Sequence, residues 1–264
     1  MKPVFTVTKG MLPVSTSYCP GCTHGVAHRI IMETLDEMGL LGKTLGVAPI
    51  GSGNDWIKSF HLPDNAFKVI PLMASEATGR EDIVSVQFPD GKRGWMANGA
   101  GTGFDAHVCD RVNRQKISGL RSKMIYLDAL MHTIFHIKAI HVRVIGDGQE
   151  RFSGACYSIA IGNGKYSGGG MRQVPLAEPD DGLIDVMVVP KAKLSKLVAE
   201  IPRLFGGTIH ESPLALSFRC KALRIEPLDD ASCDIVEVDG EIEGRLPLSA
   251  TLDGRKLRVL SAKA

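Results

Sequence analysis

The sequence has little of several things that would place a protein in an extreme class. Excess charge is nearly absent: 31 Lys and Arg against 29 Asp and Glu leave +2. A nucleic-acid binder whose affinity rests on neutralising phosphates needs more. Aromatic residues make up only 6%, too few for platforms on which bases stack. Long apolar runs are missing too. The longest stretch free of Asp, Glu, Lys and Arg, residues 10–28, is rich in Gly, Ser, Thr, Pro and Cys, whereas a membrane span takes about 20 mostly apolar residues. The opening MKPVFTVTKG lacks the apolar core of a secretory leader. These absences point to a cytoplasmic protein without nucleic acid and without a transmembrane segment, able to touch a membrane only peripherally, at its inner face.

Cysteines are scattered. Of the six, at 19, 22, 109, 156, 220 and 233, only the first two are close enough to form a motif. In a cytoplasmic chain the other four read as small buried hydrophobes rather than disulfides. What is present in quantity is core material: 264 residues, 44% apolar and 23% charged, enough for one large or two small globular domains.

Along the chain, residues 28–39 (HRIIMETLDEMG) put Ile30, Ile31, Leu35 and Met38 at helical spacing, with Gly39 as a stop. Beyond residue 60 the pattern changes to short β-rich runs divided by turn residues: FKVIPLM, IVSVQF, IHVRVIG, YSIAIGNG, LIDVMVV, LSFRCKALRI and KLRVL. Gly146-Asp147-Gly148 reads as a turn between two of them. Helices are expected at Phe104–Arg114, Met124–Ile137 and Leu194–Phe205. The last carries an apolar stripe, Leu194, Leu197, Val198, Ile201 and Leu204, that reads as ordinary core packing. The fold class expected is mainly β with helices (α+β), an antiparallel sandwich or barrel.

Two constellations carry chemistry. In the first, Cys19-Pro-Gly-Cys22 aims two thiolates at one point, with His24 and His28 following. Zinc-finger ligand pairs lie a dozen or more residues apart, so this spacing argues against zinc. The run Tyr18–Gly25, with Gly46–Gly51, resembles the thiamine-diphosphate-binding β subunit of 2-oxoacid:ferredoxin oxidoreductases. That resemblance implies cluster-ligating cysteines, but Ser52 stands where the family has a third cysteine, and a cluster takes four thiolates or close equivalents. An iron–sulfur cluster is therefore not expected.

In the second constellation, Ser52 and Asp55 are spaced as a capping box ahead of a short helix, whose start suits a phosphate. Then come G-W-M-A-N-G-A-G-T-G-F-D-A, I-G-N-G-K-Y-S-G-G-G-M-R-Q-V-P-L-A-E-P-D-D-G-L-I-D-V and V-D-G-E-I. These blocks, in this order from about Pro49 to Leu260, resemble the diacylglycerol kinase catalytic family of bacterial lipid kinases. The resemblance implies Mg²⁺ and ATP, the latter as substrate, with a lipid at a membrane surface as acceptor. It assigns Ser52, Gly53, Asn54 and Asp55 to the nucleotide phosphates and their network, and Asp82 to a second network aspartate. It gives a magnesium loop of the Asp181 side chain and the carbonyls of Glu178 and Leu183. It makes Asp239-Gly240-Glu241 the catalytic element, with Glu241 accepting the proton of the lipid hydroxyl. A two-residue hairpin turn is the plainer reading of the same Asp-Gly. Burial of Glu241 in a cleft would raise its pKa toward a useful value.

Three glycines, Gly168, Gly169 and Gly170, would let a headgroup approach the backbone closely. His132 and His136, four apart, read as core or interface histidines rather than metal ligands. The family's Gly-Gly-Asp-Gly-Thr phosphate motif is not in this sequence. The resulting division is residues 1–51, oxidoreductase-like, and residues 52–264, lipid-kinase-like and lacking most of the α/β nucleotide-binding domain. A hybrid of this kind is expected to have weak or no kinase activity alone, and a homodimer is compatible with it. The alternatives from other classes are a ligand-binding sandwich without chemistry and an oxidoreductase subunit fragment.

Overall fold

A computed structural model describes residues 54–73, 78–117 and 124–262. The constellation at residues 18–51, the helix expected at 28–39, and Ser52 and Gly53 lie outside the described residues.

The chain divides into two compact units, Met1–Gly79 with Arg258–Ala264, and Arg80–Leu257. In the first, α1 (Asp55–Ser59) and α2 (Ala66–Met73) contribute the buried Ile57, Phe60, Leu62 and Val69. Trp56 and Phe60 meet edge to face at 5.4 Å. The run FKVIPLM, expected as a strand, is the helix α2, with Pro71 inside it. Its β-branched Val69 and Ile70 suggest a strand, but a seven-residue apolar run has no period long enough to distinguish the two.

The second unit is built on strands β1 (Thr78–Gln87), β2 (Arg93–Met96), β3 (Gly99–Gly103), β4 (Ile140–Gly146), β5 (Gln149–Gly162), β6 (Ile184–Pro190), β7 (Leu216–Cys220), β8 (Ala222–Pro227), β9 (Ile235–Val238), β10 (Glu241–Arg245) and β11 (Leu248–Leu260). The outer parts of β1 and β11 fall in the first unit. The order is β10-β9-β3-β5-β4-β8-β11-β1-β2, and β6 pairs with both β5 and β7. The strand pairs of the described residues are antiparallel, as short strands joined by turns predict.

The sheet branches at β5. Its first half pairs with β4 from Gln149 to Cys156. Its second half lies between β3 and β6 from Ser158 to Gly162. A register shift between Cys156 and Ser158 marks where the strand passes from one layer to the other. Between the layers sits a core of Val, Ile and Leu drawn from nearly every strand, including Val84, Val142, Val144, Ile159, Ile184, Val186, Ile225 and Val236, each at most 1% exposed. Cys156 and Cys220 belong to this core, with burial pushing both thiols up to about 12. This is the antiparallel, sandwich-like architecture expected.

Helices α3 (Phe104–Ile117) and α4 (Met124–His136) pack on each other through Val108, Val112 and Ala129. α5 (Leu194–Gly206) occupies the third expected span, but not one of its residues is buried. Its stripe reaches the core only in part: Leu204 packs against the cluster of Ala160, Val174, Ala177, Met187 and Ile209. Half-buried Leu194, Leu197, Ile201 and Leu204 line an apolar groove.

The glycine-rich β3 is a strand that β propensity does not announce. Close packing explains it. A Cβ on Gly103, at φ +73°, would lie 2.4 Å from the Tyr157 carbonyl oxygen, and one on Gly99 would lie 2.9 Å from that of Ile161. Side chains there would push β3 off β5.

Candidate functional site

Three connections, β2–β3, β5–β6 and β9–β10, meet at one end of the second unit's sheet, and hydrogen bonds define how. The amides of Asn163 and Gly164, at the exit of β5, both donate to the Asn98 carbonyl in the β2–β3 turn. Asn98 Nδ2 donates to the Tyr166 carbonyl at 2.9 Å, reaching the loop that carries the three glycines. Gly168, Gly169 and Gly170 all have positive φ, at 56°, 84° and 110°, and a bridge between Ser167 and Met171 closes the loop. Only glycine adopts three such angles in a row at low cost.

Asn163 is fully buried and holds two of these pieces together. Its Nδ2 donates to the carbonyls of Asp82 at 3.0 Å and Ala97 at 2.9 Å. The sequence motifs do not single out this residue. The signal was there: an Asn directly after a fully apolar strand end, at the same level as an Asn in the neighbouring turn.

Asp82 sits on β1 with 5% of its surface exposed. Its Oδ2 accepts the Gly182 amide at 2.7 Å, and its own amide donates to the Pro179 carbonyl at 2.7 Å. Lys256 Nζ lies 3.1 Å from Oδ1 and also donates to the Asp180 carbonyl. Asp82 therefore ties β1 to the loop that contains Glu178, Asp181 and Leu183. Asp82→Ala is expected to cost about 2–4 kcal/mol, because it orphans the Gly182 amide and leaves the Lys256 ammonium without its carboxylate. Urea unfolding of wild type and variant measures it.

In that loop, Asp181 Oδ1 accepts the Leu183 amide at 3.0 Å and Oδ2 lies 3.6 Å from Arg219. The Glu178 side chain pairs with Lys165 at 2.5 Å. Arg219 also binds Asp185 Oδ1 at 3.0 Å, while the buried Asp185 Oδ2 has no hydrogen-bond partner. Burial holds the Asp185 carboxyl above the usual range against Arg219, and the charges of Asp181 and Glu178 push the same way. A buried acceptor without a donor, beside a second carboxylate, is the oxygen chemistry a hard cation such as Mg²⁺ takes, although Arg219 already pairs with one oxygen of each acid. Among the described residues no group of three or more His, Cys, Asp and Glu side chains is placed to hold a metal, so any ion here would depend on backbone oxygens.

The Asp239-Gly240 pair forms a two-residue hairpin between β9 and β10, with Glu241 opposite Val238. Both residues have positive φ, 50° and 90°, as such turns demand. The Asp239 carboxylate accepts three backbone amides, from Ala97 at 2.7 Å, Asn98 at 2.8 Å and Gly99 at 2.9 Å. Burial raises its pKa and these three donors work against that. Asp239 is thus a brace between two turns. The Gly240 carbonyl is gripped from beneath by α3, through Cys109 Sγ at 3.0 Å and Asn113 Nδ2 at 2.9 Å. Glu241 itself is exposed, so the burial expected of it falls elsewhere.

It falls on Glu237 and Asp105, neither of which the motifs singled out. Glu237 Oε2 accepts the Gly240 amide at 2.9 Å. Asp105, at the start of α3, accepts Ser158 Oγ at 2.5 Å and Gln173 Nε2 at 2.6 Å. Gly101 separates the two acids: a Cβ there would meet Asp105 Cβ at 2.9 Å and Glu237 Oε1 at 3.4 Å. Desolvation raises Asp105 to about 6 despite its two hydrogen bonds. Desolvation raises Glu237 to about 8, with the Gly240 amide opposing and the charges of Asp105 and Asp239 adding.

Between the ordinary value of 4.5 and about 8, folded Glu237 keeps a proton that the unfolded chain releases. Stability must then fall as pH rises through that window. Glu237→Gln is expected to match wild type in melting temperature near the ordinary value of 4.5 and to exceed it above about 8. Thermal melts across that range test this.

Asn54 and Asp55 belong to the first unit. Asn54, left-handed at φ 49°, is the N-cap of α1, and makes no side-chain cap bond. Asp55 is the first helical residue and binds Lys58 at 2.6 Å. The helix thus starts two residues too late for a capping box from Ser52, and its five residues are too few to offer a phosphate site of their own. His132 and His136, expected in the core or at an interface, are exposed and stack at 4.2 Å. They line a polar hollow of about 770 Å³ together with His107, Arg111 and Asp234. That hollow is the larger of the two concavities, but charged and histidine side chains ring it, and its apolar lining is confined to residues such as Ile137, Ala139, Ile140 and Ala231.

The apolar groove is different. α5 forms one wall and Leu130, Ile134 and Ile137 another, with Ala160 and Met187 from the sheet and Met171 after the glycine loop. Asp105, Ser158 and Gln173 line it too. Through Asp105 and Glu237 the groove adjoins the turn that presents Glu241.

A mostly antiparallel sandwich with its site built from loops at one end defines the class of the second unit. Residues 99–261 match the model of the YegS C-terminal NAD kinase beta sandwich-like domain, and the chain belongs to that family. It is similar to a diacylglycerol kinase of Mycobacterium tuberculosis, 28% identical over 234 residues, 88% of this chain and 73% of the relative. A probable lipid kinase YegS-like protein of Xanthomonas oryzae pv. oryzae is 29% identical over 200 residues, 76% of this chain and 63% of the relative. A crystal structure of a diacylglycerol kinase from Bacillus anthracis shares the fold, with a TM-score of 0.64 at 21% identity over 84% of this chain and 70% of that one.

A match over 88% of the chain is too long to be contained in residues 52–264, so it runs into the N-terminal segment. The resemblance of residues 1–51 to an oxidoreductase β subunit is thereby left without support. No helix among the described residues is long and apolar enough to cross a membrane.

Proposed function

We propose that the chain is an ATP-dependent lipid kinase that transfers the γ-phosphoryl group to the hydroxyl of a diacylglycerol-like lipid. The observation that carries this reading is the apolar groove joined to the Asp239-Gly240-Glu241 turn through Asp105 and Glu237. An acyl chain has an apolar wall to lie on. Its hydroxyl end then faces an exposed carboxylate held on a braced turn.

In this mechanism Glu241 takes the hydroxyl proton as the lipid oxygen bonds to the γ-phosphorus and the bond to the leaving ADP oxygen breaks. Glu237 and Asp239 fix the turn so that the carboxylate does not wander. The Gly168–Gly170 backbone leaves room for the headgroup. Ser52, Gly53, Asn54 and Asp55 hold the nucleotide phosphates on the family resemblance. Mg²⁺ held by Asp181 with the carbonyls of Glu178 and Leu183, in the loop that Asp82 ties to β1, would play a structural part, and the Mg²⁺ that accompanies ATP would neutralise phosphate charge. The relatives carry kinase names over their whole length, which supports transfer as the activity.

The test is transfer of labelled γ-phosphate from ATP to diacylglycerol dispersed in phospholipid vesicles, with a nucleotide-binding domain of a related lipid kinase supplied in trans, since the chain alone is expected to show weak activity or none. A labelled phosphatidic acid product is expected. Lipid binding without transfer to diacylglycerol, phosphatidylglycerol or a sphingoid base would reduce the protein to a binding module.

A further inference from the structure

α5 combines features that a helix packed in a soluble domain does not have. It is strongly two-sided in sequence, yet none of its residues is buried. Beside the stripe that lines the groove, Val198 is 37% and Phe205 55% exposed. Across the groove, α4 contributes Met131 and Phe135, 39% and 62% exposed. Leaving four such side chains in water on the two helices that line the groove is costly, and exposed apolar side chains gathered in this way mark interaction surfaces.

Charge indicates the partner. Lys191, Lys193 and Lys196 are exposed at the N-terminal end of α5. Among the described residues none of the three has an ion-pair partner, whereas Glu200, the one acid from Lys191 to Gly206, is taken by Arg203 at 3.1 Å. Four cations against one anion on a two-sided helix suit an anionic, apolar-cored surface, which describes a bilayer interface better than a protein face. Thirteen residues span about 20 Å, too short to cross a bilayer and suited to lying in its plane.

We propose that α5 is an interfacial helix: Val198 and Phe205 enter the acyl boundary, Lys191, Lys193 and Lys196 engage anionic headgroups, and the groove beneath opens toward the lipid phase. This deepens the lipid-kinase reading and rests on it for the identity of what enters the groove. Arg172 couples the helix to the site. Its amide donates to the Leu204 carbonyl at 2.7 Å, and its guanidinium lies 5.3 Å from the Tyr166 ring in the glycine loop. Seating α5 therefore bears directly on the loop beside the groove.

The experiment is co-sedimentation of the whole chain with vesicles of phosphatidylcholine alone, or of phosphatidylcholine with phosphatidylglycerol, free of diacylglycerol. Wild type is expected to prefer the anionic vesicles and to lose that preference in high salt. Replacing Lys191, Lys193 and Lys196 together by Ala should weaken anionic partition roughly 100-fold. Val198→Ser with Phe205→Ser should weaken binding to both kinds of vesicle. Circular dichroism should show both variants folded, and transfer to a soluble short-chain diacylglycerol should persist in both. Unchanged partition in folded variants would overturn the proposal. So would variants that alter self-association and leave vesicle binding intact, since α5 would then be a contact between copies. Should wild type and variants separate on vesicles while no phosphoryl transfer is found, the interfacial helix stands and the kinase reading falls.

Discussion

Glu241→Gln is expected to lower phosphoryl transfer to diacylglycerol by roughly 10² to 10⁴ while leaving the fold and melting temperature in place. The separation follows from the geometry. Glu241 is exposed on the first residue of β10, and the turn it follows is held by other groups: Asp239 above, Glu237 at the Gly240 amide, Cys109 and Asn113 at the Gly240 carbonyl. Removing one charge at Glu241 breaks none of these. Steady-state rates with vesicle-borne diacylglycerol, compared with thermal melts of the same preparations, check both halves. An unchanged rate would remove Glu241 from the chemistry and leave the turn as structure alone.

Asp239→Ala should behave in the opposite way. Three amides in the β2–β3 turn lose a charged acceptor together, at a cost of about 2–4 kcal/mol, and activity should fall with stability because the turn that presents Glu241 loses its anchor. Asp239→Asn keeps one carboxamide oxygen facing Asn98 and Gly99 and should fall between the two. If Asp239 acted directly on substrate, Asn would be as inactive as Ala at nearly wild-type stability. Urea unfolding and initial rates on the three proteins separate a brace from a reacting group.

How far the sequence discloses this site depends on what each residue does there. Asp82, Asp181 and the Asp-Gly-Glu turn are singled out by the resemblance of their blocks to a lipid-kinase family; pattern alone makes Asp181 and Asp239 plain turn residues. The Asp82 tie to Gly182 and the hairpin at Asp239 follow the spacing of those words. What Asp239 does was not legible. Its three partners lie some 140 residues away in the chain, across a pairing that local pattern does not encode. The same holds for Lys256, one of three cationic residues in the last strand until the register brings it to Asp82. Glu237 looked like an outward residue in an alternating strand. Its raised pKa comes from Asp105 and the surrounding burial, both properties of packing.

The strands were mostly legible by alternation and turn residues, except where glycine replaced β-formers in β3. There the close approach of β5 overrides propensity. The helical spans at α3, α4 and α5 followed their period, but the α5 stripe reached the core only in part. An apolar face in sequence states that a surface avoids water; it does not state whether protein or lipid covers it.

The strand that serves two layers has a mechanical consequence. Ile159 and its neighbours on β5 bond to β3 on one side and β6 on the other, while the front half of the same strand holds β4. Neither layer can peel away while the other stays whole, because either rupture frays the shared seam. Amide protons of β5 should accordingly exchange with solvent only through whole-unit opening, at one common rate limit. The loops carried at its far end inherit a rigid footing for that reason, and what bends during turnover is left to helices and glycines around it.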